Sequence, residues 1–507
     1  MAVSRRIRLI LSLVFFLGNL CAGQSRLAAD PLLAGASKVD ITHYDAGPVN
    51  DPLHVRALAL RANEKTFLML TFDAVAIGEI GYIKNDFLPK VRERLLKQHG
   101  IPATHVLANA SHCHGIVTPD VEAKTIEAAT QAISRLEPVT VGTGSGHEDR
   151  IQENRRLILK SGREADVRHA YSLPEDDAVA QVGPIDPEIG ILKLNRNDGT
   201  TLAVVYNFAC HPIQGVPNGG NTADITGFSS RVIEDNLGPD TVALFLQGCG
   251  GDINPVFYKD VDHPRDAQPL GNLLGLSTLK AVREIACHPV SQFAVIQETL
   301  TLPRGDRSEI IAELEAEQRR VAQSLRGTSL NLKTFLPLVM KYNLSQEFPS
   351  AYSHRYLQEE ALGREELKHL DAENRRNIKA YMANILAMEE LTRINTNLAL
   401  LKKHQASLVA SGKRTVDVEL LGFRIGEFAL VTFPGELTVR IGLNIKAASP
   451  HEKTFVAGYT NGYIYYAPTA EQMRNVGHAQ EDSDCILAPD WQDQFEKKAY
   501  EILNRLE

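Results

Sequence analysis

The sequence predicts an α/β fold: a layered, mixed β-sheet domain with flanking helices and a helical insertion. Three observations carry that expectation. Apolar, β-branched runs of strand length alternate with amphipathic runs of helix length through residues 31–304. Residues 305–412 then become charged, poor in glycine and helical in period. Strands resume at TVDVELLGFRIGEFALVTF (415–433), so residues 413–507 return to the first pattern and complete the same domain.

The elements follow in order. MAVSRRIRLILSLVFFLGNLCAGQS opens with Arg5, Arg6 and Arg8, continues as an apolar run and ends in small residues, the layout of a secretory signal peptide over residues 1–23. ASKVDIT, HVRALALRA and TFLMLTFDAVAI read as strands, residues 80–99 as helix, and THVLANAS (104–111) as strand. VEAKTIEAATQAISRL (121–136) has helical period. GILKLNR and TLAVVYNFAC form a predicted hairpin turning at Asn197-Asp198-Gly199. TVALFLQ (241–247) is a buried-type strand and NLLGLSTLKAVREIA (272–286) a helix. After the insertion, FALVTFPGELTVRIGLNIKAAS and TFVAGYTNGYIYYAPTAEQM repeat the strand-to-helix habit, and little chain remains after residue 490 for a further domain.

Composition narrows the function classes. The 507 residues are 44% hydrophobic and 23% charged, with a net charge of −8 and no basic block in the folded part, which disfavours nucleic acid as a partner. The leader predicts a secreted or periplasmic protein with no stable transmembrane segment after cleavage. Cys113, Cys210, Cys249, Cys287 and Cys485 are odd in number and sparse, unlike a disulfide scaffold, and no CxxC pair suggests a Cys-only zinc cluster.

Four patches could carry chemistry. In NASHCHGIVTPD (109–120), strand alternation puts His112 and His114 on one face, about 6–7 Å apart, with Cys113 packing on the other. The two imidazoles could share a metal, divide into ligand and neighbour, or be structural. His211 follows TLAVVYNFAC and precedes Pro212, again at a strand end, where α/β proteins collect functional groups. Glu436 in TFPGELT either complements a helix dipole or completes a His-His-carboxylate zinc set. NGYIYYAPT (461–469) offers Tyr463, Tyr465 and Tyr466 for packing or, once a cation lowers a phenol's pKa, for ligation. The glycines of LQGCGGDINP (246–255) suit a tight turn or close backbone approach to a ligand.

In order along the chain, AGASKVDIT, PLHVRALAL, LTFDAVAI, SHCHG, NRR (154–156), FACHP, QGCGGDINP, FPGELT and NGYIYYAPT resemble the motif series of the neutral/alkaline, non-lysosomal ceramidase family. The resemblance covers most of the chain outside the insertion and implies a short member without that family's C-terminal immunoglobulin-like domain. It implies Zn2+ held by His112, His211, Glu436 and Tyr466, the last being the second tyrosine of Asn-x-Tyr-x-x-Tyr. It further implies that His114 contacts the substrate oxygen and that Arg155 faces the substrate. Two positions depart from the family pattern. Asn254 stands where the family has a serine assigned a catalytic role, which excludes an acyl-serine route but not a metal-water route. His478 stands where the family has a second tyrosine. The function implied is zinc-dependent hydrolysis of the amide bond of a small N-acylated lipid or amino sugar, with His114, Arg155, Asn254 and His478 around the reacting group. The alternative is a hydrolytically silent relative that retains the metal and binds lipid or glycan.

Overall fold

A computed structural model describes residues 31–506 except 167–173, 175, 217–219, 259, 261, 347–352 and 476, so the expected leader over residues 1–23 lies outside the described residues. The chain is α/β, as the strand–helix alternation predicts. Its larger sheet is built from β1 (Leu33–Asp40), β2 (His54–Ala62), β3 (Lys65–Phe72), β4 (Val106–Ala110), β5 (Glu137–His147), β6 (Glu188–Arg196), β7 (Thr201–Phe208) and β8 (Val242–Gln247). Their order across the sheet is β8-β7-β6-β5-β1-β2-β3-β4, with the short strand His288–Pro289 pairing beside β5. A second sheet runs β9 (Phe293–Pro303), β10 (Thr415–Ile425), β11 (Phe428–Thr432) and β12 (Thr454–Ala457).

Most neighbours are antiparallel, but three pairs are parallel: β3 with β4, β7 with β8, and β11 with β12. Parallel strands need a long crossover. The three crossovers contain α1 (Phe87–His99), then α3 (Asp224–Leu237), and α9 (Val439–Ala448); α2 (Val121–Ser134) and α4 (Gln268–Glu284) flank the larger sheet as well. The predicted hairpin is present as β6 and β7, with Gly199 at φ +86° in the turn.

The sheets are buried on both faces, which explains their nearly continuous apolar runs. In β3, Phe67 and Met69 face the second sheet, whereas Leu68, Leu70 and Phe72 pack under α1 and α2. In β10, Leu421 and Phe423 point back at the first sheet while Leu420 faces the other way. Phe67 and Phe423 stack at 4.6 Å between the sheets, a contact worth about 0.5–1.5 kcal/mol beyond the area it buries. A Cβ on Gly190 would sit 2.2 Å from the Phe455 ring, so glycine is what lets the sheets close there. α9 and α10 (Trp491–Arg505) cover the far side through Ile441, Ile445, Phe495 and Ile502.

Pro303 at the end of β9 pairs with Thr415 at the start of β10. Between them the chain forms α5 (Ser308–Ser324), α6 (Leu332–Leu344), α7 (Ser353–Ala361) and the 46-residue α8 (Glu366–Ser411), so these helices rise from the tip of a hairpin. No helix among the described residues is long and apolar enough to cross a membrane. The five cysteines considered above are all unbridged.

Candidate metal centre

In open α/β sheets, ligands bind beyond the carboxyl ends of the strands. Here the carboxyl ends of the three parallel pairs deliver the polar side chains of one buried cluster. His112 follows β4, His211 follows β7, Glu436 follows β11, and Tyr459 follows β12. The ligand atoms of His112, His211 and Glu436 all lie within 4.8 Å of one another, and all three residues are buried.

Each side chain is aimed by local structure. β4 ends at Ala110 because Ser111 N–H donates to Phe72 O and His112 N–H to Ala74 O, both at 2.9 Å, which turns the chain out of the strand. His112 then adopts φ +69°, a region few non-glycine residues occupy. This corrects the expectation that His112 and His114 share a strand face. The backbone is no longer extended at His112, so His112 is 3% exposed whereas His114 is exposed, their ring centroids 5.5 Å apart. Cys113 packs into the core beneath α1 and α2, as expected.

The two buried imidazoles are oriented by backbone carbonyls. His112 Nδ1 lies 2.7 Å from Val75 O, and His211 Nδ1 contacts Gly250 O and, at 3.1 Å, Ile253 O. A carbonyl only accepts, so both Nδ1 atoms carry a proton, and Nε2 is the nitrogen each ring turns towards the centre of the cluster. Those Nε2 atoms converge on Glu436 Oε2, at 3.4 Å from His112 and 3.2 Å from His211. Burial, helped by the charge of Arg155, pulls His211 down to about pH 3, so its ring is neutral at pH 7. Burial alone would raise Glu436, but the imidazoles and the Tyr463 hydroxyl outweigh it and hold the carboxyl below its ordinary range. Two imidazoles, each locked by a carbonyl and facing a carboxylate, are a donor set suited to a divalent metal.

Glycines let the strand ends approach. A Cβ on Gly251 would lie 2.5 Å from Glu436 O and 2.8 Å from Leu437 O, and Gly251 N–H donates to Leu437 O at 2.8 Å. QGCGGD is therefore a close-packing turn against the Glu436 segment. Glu436 and Tyr466 then sit opposite one another in a two-residue parallel pair.

The remaining sequence-derived residues divide. The Tyr466 ring stacks on that of His211, centroids 6.5 Å apart, and its hydroxyl accepts from Arg155 Nη2 at 3.2 Å. Arg155 is 1% exposed and also donates to Asn254 Oδ1 at 3.1 Å and to Gly251 O. Its Nε pairs with Glu481 at 2.6 Å. His478 lies apart: it lines a cavity of about 550 Å³ with α5 and α8 residues, and its ring meets Arg163 at 3.5 Å.

Tyr459, Tyr463 and Glu481 complete the surroundings. Tyr459 donates to Glu436 Oε2 at 3.3 Å and Tyr463 to Glu436 Oε1 at 2.7 Å. Burial and the Glu436 charge raise both phenols, keeping them neutral donors. Tyr459 was legible in principle, since it ends the strand TFVAGY just as His112 and His211 follow theirs. Glu481 carried only the signal of an acidic pair, Glu481-Asp482, matching the basic pair Arg155-Arg156.

Fold and cluster together define an α/β protein whose parallel-strand ends converge on a His-His-carboxylate centre able to hold a metal. Solved structures that share this fold include two of ceramidases. Neutral ceramidase from Pseudomonas aeruginosa matches with a TM-score of 0.57 over 93% of this chain and 74% of that one, at 15% identity. A ceramidase complexed with C2 matches with a TM-score of 0.58 over 93% and 75%, at 17% identity. No protein-family model and no curated protein matches the sequence. The fold that the order of motifs implied is the fold found.

Proposed function

We propose that this chain is an exported, zinc-dependent amide hydrolase of the neutral ceramidase type, acting on a small N-acylated lipid or amino sugar. The observation that carries this reading is the convergence of two carbonyl-locked imidazoles and one carboxylate at the strand ends of a ceramidase fold. His112, His211 and Glu436 would hold the metal, with Tyr466 beside His211 as fourth ligand. Zinc in such a seat supplies Lewis acidity and a water acidified towards neutral pH.

The chain's own groups divide the remaining work. Tyr459 and Tyr463 hydrogen bond the Glu436 carboxylate and keep it in one orientation. His114, exposed beside His112, is the group positioned to donate to the substrate oxygen or to carry a proton to the leaving amine. Arg155 acts as a positioning residue: it is buried and holds Tyr466, Asn254 and the Gly251 carbonyl in register. Asn254 is thereby a structural acceptor. His478 belongs to the wall formed with the inserted helices.

Metal analysis of the purified protein tests the reading. Wild type is expected to carry about one zinc per chain, His112→Ala and Glu436→Ala to lose it, and chelator to abolish turnover of N-acyl amides. Absence of stoichiometric zinc from the wild type would overturn the ligand assignment. Zinc without turnover of any N-acyl amide would favour the silent, ligand-binding relative.

A further inference from the structure

A cavity of about 680 Å³ is lined by the inserted helix α8, the start of β10 and residues 463–465. Tyr463 and Tyr465 form part of its wall, and Tyr463 is also the residue whose hydroxyl donates to Glu436 Oε1 at 2.7 Å. A molecule in this cavity is therefore one tyrosine away from the metal-competent carboxylate.

The same wall carries three basic side chains. Arg304 follows β9, Lys403 lies on α8 and Lys413 follows α8. Nearby Arg414 is paired with Asp306, whereas none of Arg304, Lys403 and Lys413 has a carboxylate in ion-pair range among the described residues. Serine hydroxyls hold the Arg304 fork without neutralising it, Ser411 at 3.0 Å and Ser407 at 3.3 Å, and its buried Nε has no hydrogen-bond partner. Lys403 Nζ sits 4.3 Å above the Tyr465 ring. The wall also holds two carboxylates, Glu79, which accepts from the Tyr465 hydroxyl, and Asp417, which accepts from the Thr301 hydroxyl at 2.6 Å. His404, the remaining basic group, is matched by Asp484 at 2.6 Å. In a chain with a net charge of −8, a cavity wall whose three cations outside any ion pair outnumber its two carboxylates is an exception to the charge balance.

We infer that the substrate is an N-acyl amide bearing an anionic oxygen group, a carboxylate or a phosphate, held by Arg304, Lys403 and Lys413 while the amide lies at the metal centre. This rests on the hydrolase reading above and adds the substrate class. The inserted helices then form the specificity wall: α8 supplies Lys403, and the segment closing the insertion supplies Lys413. An arginine fork and two ammonium groups match an oxyanion, which both acceptor chemistries present.

Matched probes test it on the zinc-loaded enzyme: N-lauroylglycine, N-lauroylethanolamine phosphate and neutral N-lauroylethanolamine. Binding is measured by calorimetry and hydrolysis by amine release, for wild type, Lys403→Glu/Lys413→Glu and Arg304→Gln. At least one anionic probe is expected to bind about tenfold more tightly than the neutral one. The double variant should erase that preference while leaving the neutral probe unchanged, and whichever anionic probe is preferred identifies the group. Equal binding of all three probes, or equal weakening of all three in the variants, would overturn the inference. Charge-dependent binding without hydrolysis would support the inference and count against the hydrolase reading instead, so the two fail separately.

Discussion

Arg155 and Arg156 are each 1% exposed, yet both remain cations because carboxylates meet them inside the protein. Glu481 lies 2.6 Å from Arg155 Nε, and Asp482 binds Arg156 through two contacts of 2.6 and 2.9 Å. Breaking a buried pair leaves an uncompensated charge, whereas removing both partners can be nearly neutral. Arg155→Met should therefore destabilise the chain by about 3–5 kcal/mol in urea unfolding, and adding Glu481→Gln should recover a substantial part. The same substitution releases the Tyr466 hydroxyl, so metal affinity should remain weakened in the double variant even where stability returns. Both motifs, NRR and QED, are visible in the sequence. Their pairing is not, because Arg156 and Asp482 are 326 positions apart and no local period connects them. His112 and His114 make the same point at shorter range, since one left-handed residue, not strand alternation, separates their environments.

At the scale of an element, α8 is two structures in one helix. Of its buried positions, Ile394, Leu398, Leu401, His404 and Leu408 recur mostly at three- and four-residue steps, and all but Ala387 lie in its second half. There Ile394, Leu398 and Leu401 join Leu314 and Val321 of α5 in the core beneath the second sheet. The first half leaves Leu370, Met382, Ile385 and Leu386 exposed. Leu401→Ala is expected to cost about 2–5 kcal/mol in denaturant unfolding, and Met382→Ala less than about 0.5 kcal/mol. Hydrogen exchange should likewise show amides of residues 394–408 protected far longer than those of 366–386. Charge and period predict helix throughout 305–412. Which half docks depends on apolar residues of α5, α10 and the second sheet, which are remote in sequence.

At the scale of the molecule, burial leaves ionisable groups whose effects on stability oppose one another. Burial, with the charges of Arg56 and Lys38, pulls His54 down to about 3. The unfolded chain takes up that proton near pH 6.5, so this contribution is complete above 6.5 and is lost as pH falls towards 3. Burial pushes Asp224 up to about 6 against the backbone N–H groups that bind it. That contribution is complete below about pH 4 and is lost as pH rises through 6. Comparing urea midpoints at pH 7 and pH 4.5, His54→Asn should gain on wild type as the pH falls. Asp224→Asn should lose ground over the same interval, and equal offsets at both values would contradict the assignment.

Much of this protein was determined by its sequence alone: the α/β alternation, the hairpin at Asn197-Asp198-Gly199, the helical character of residues 305–412, and histidines and an acid at strand ends. These follow from period, turn chemistry and side-chain type, which neighbouring residues express without reference to the rest of the chain. Only the tertiary structure decided that β3–β4, β7–β8 and β11–β12 pair in parallel and turn their carboxyl ends towards one place. It also decided that Tyr459 and Tyr463 serve Glu436, that Arg155 is buried on Tyr466, and that Lys403 comes over Tyr465. The physical reason is that these contacts join residues from 23 to 311 positions apart, beyond the reach of any local period. What brings them together is the packing of two sheets buried on both faces, a property of the whole chain and of no single stretch of it.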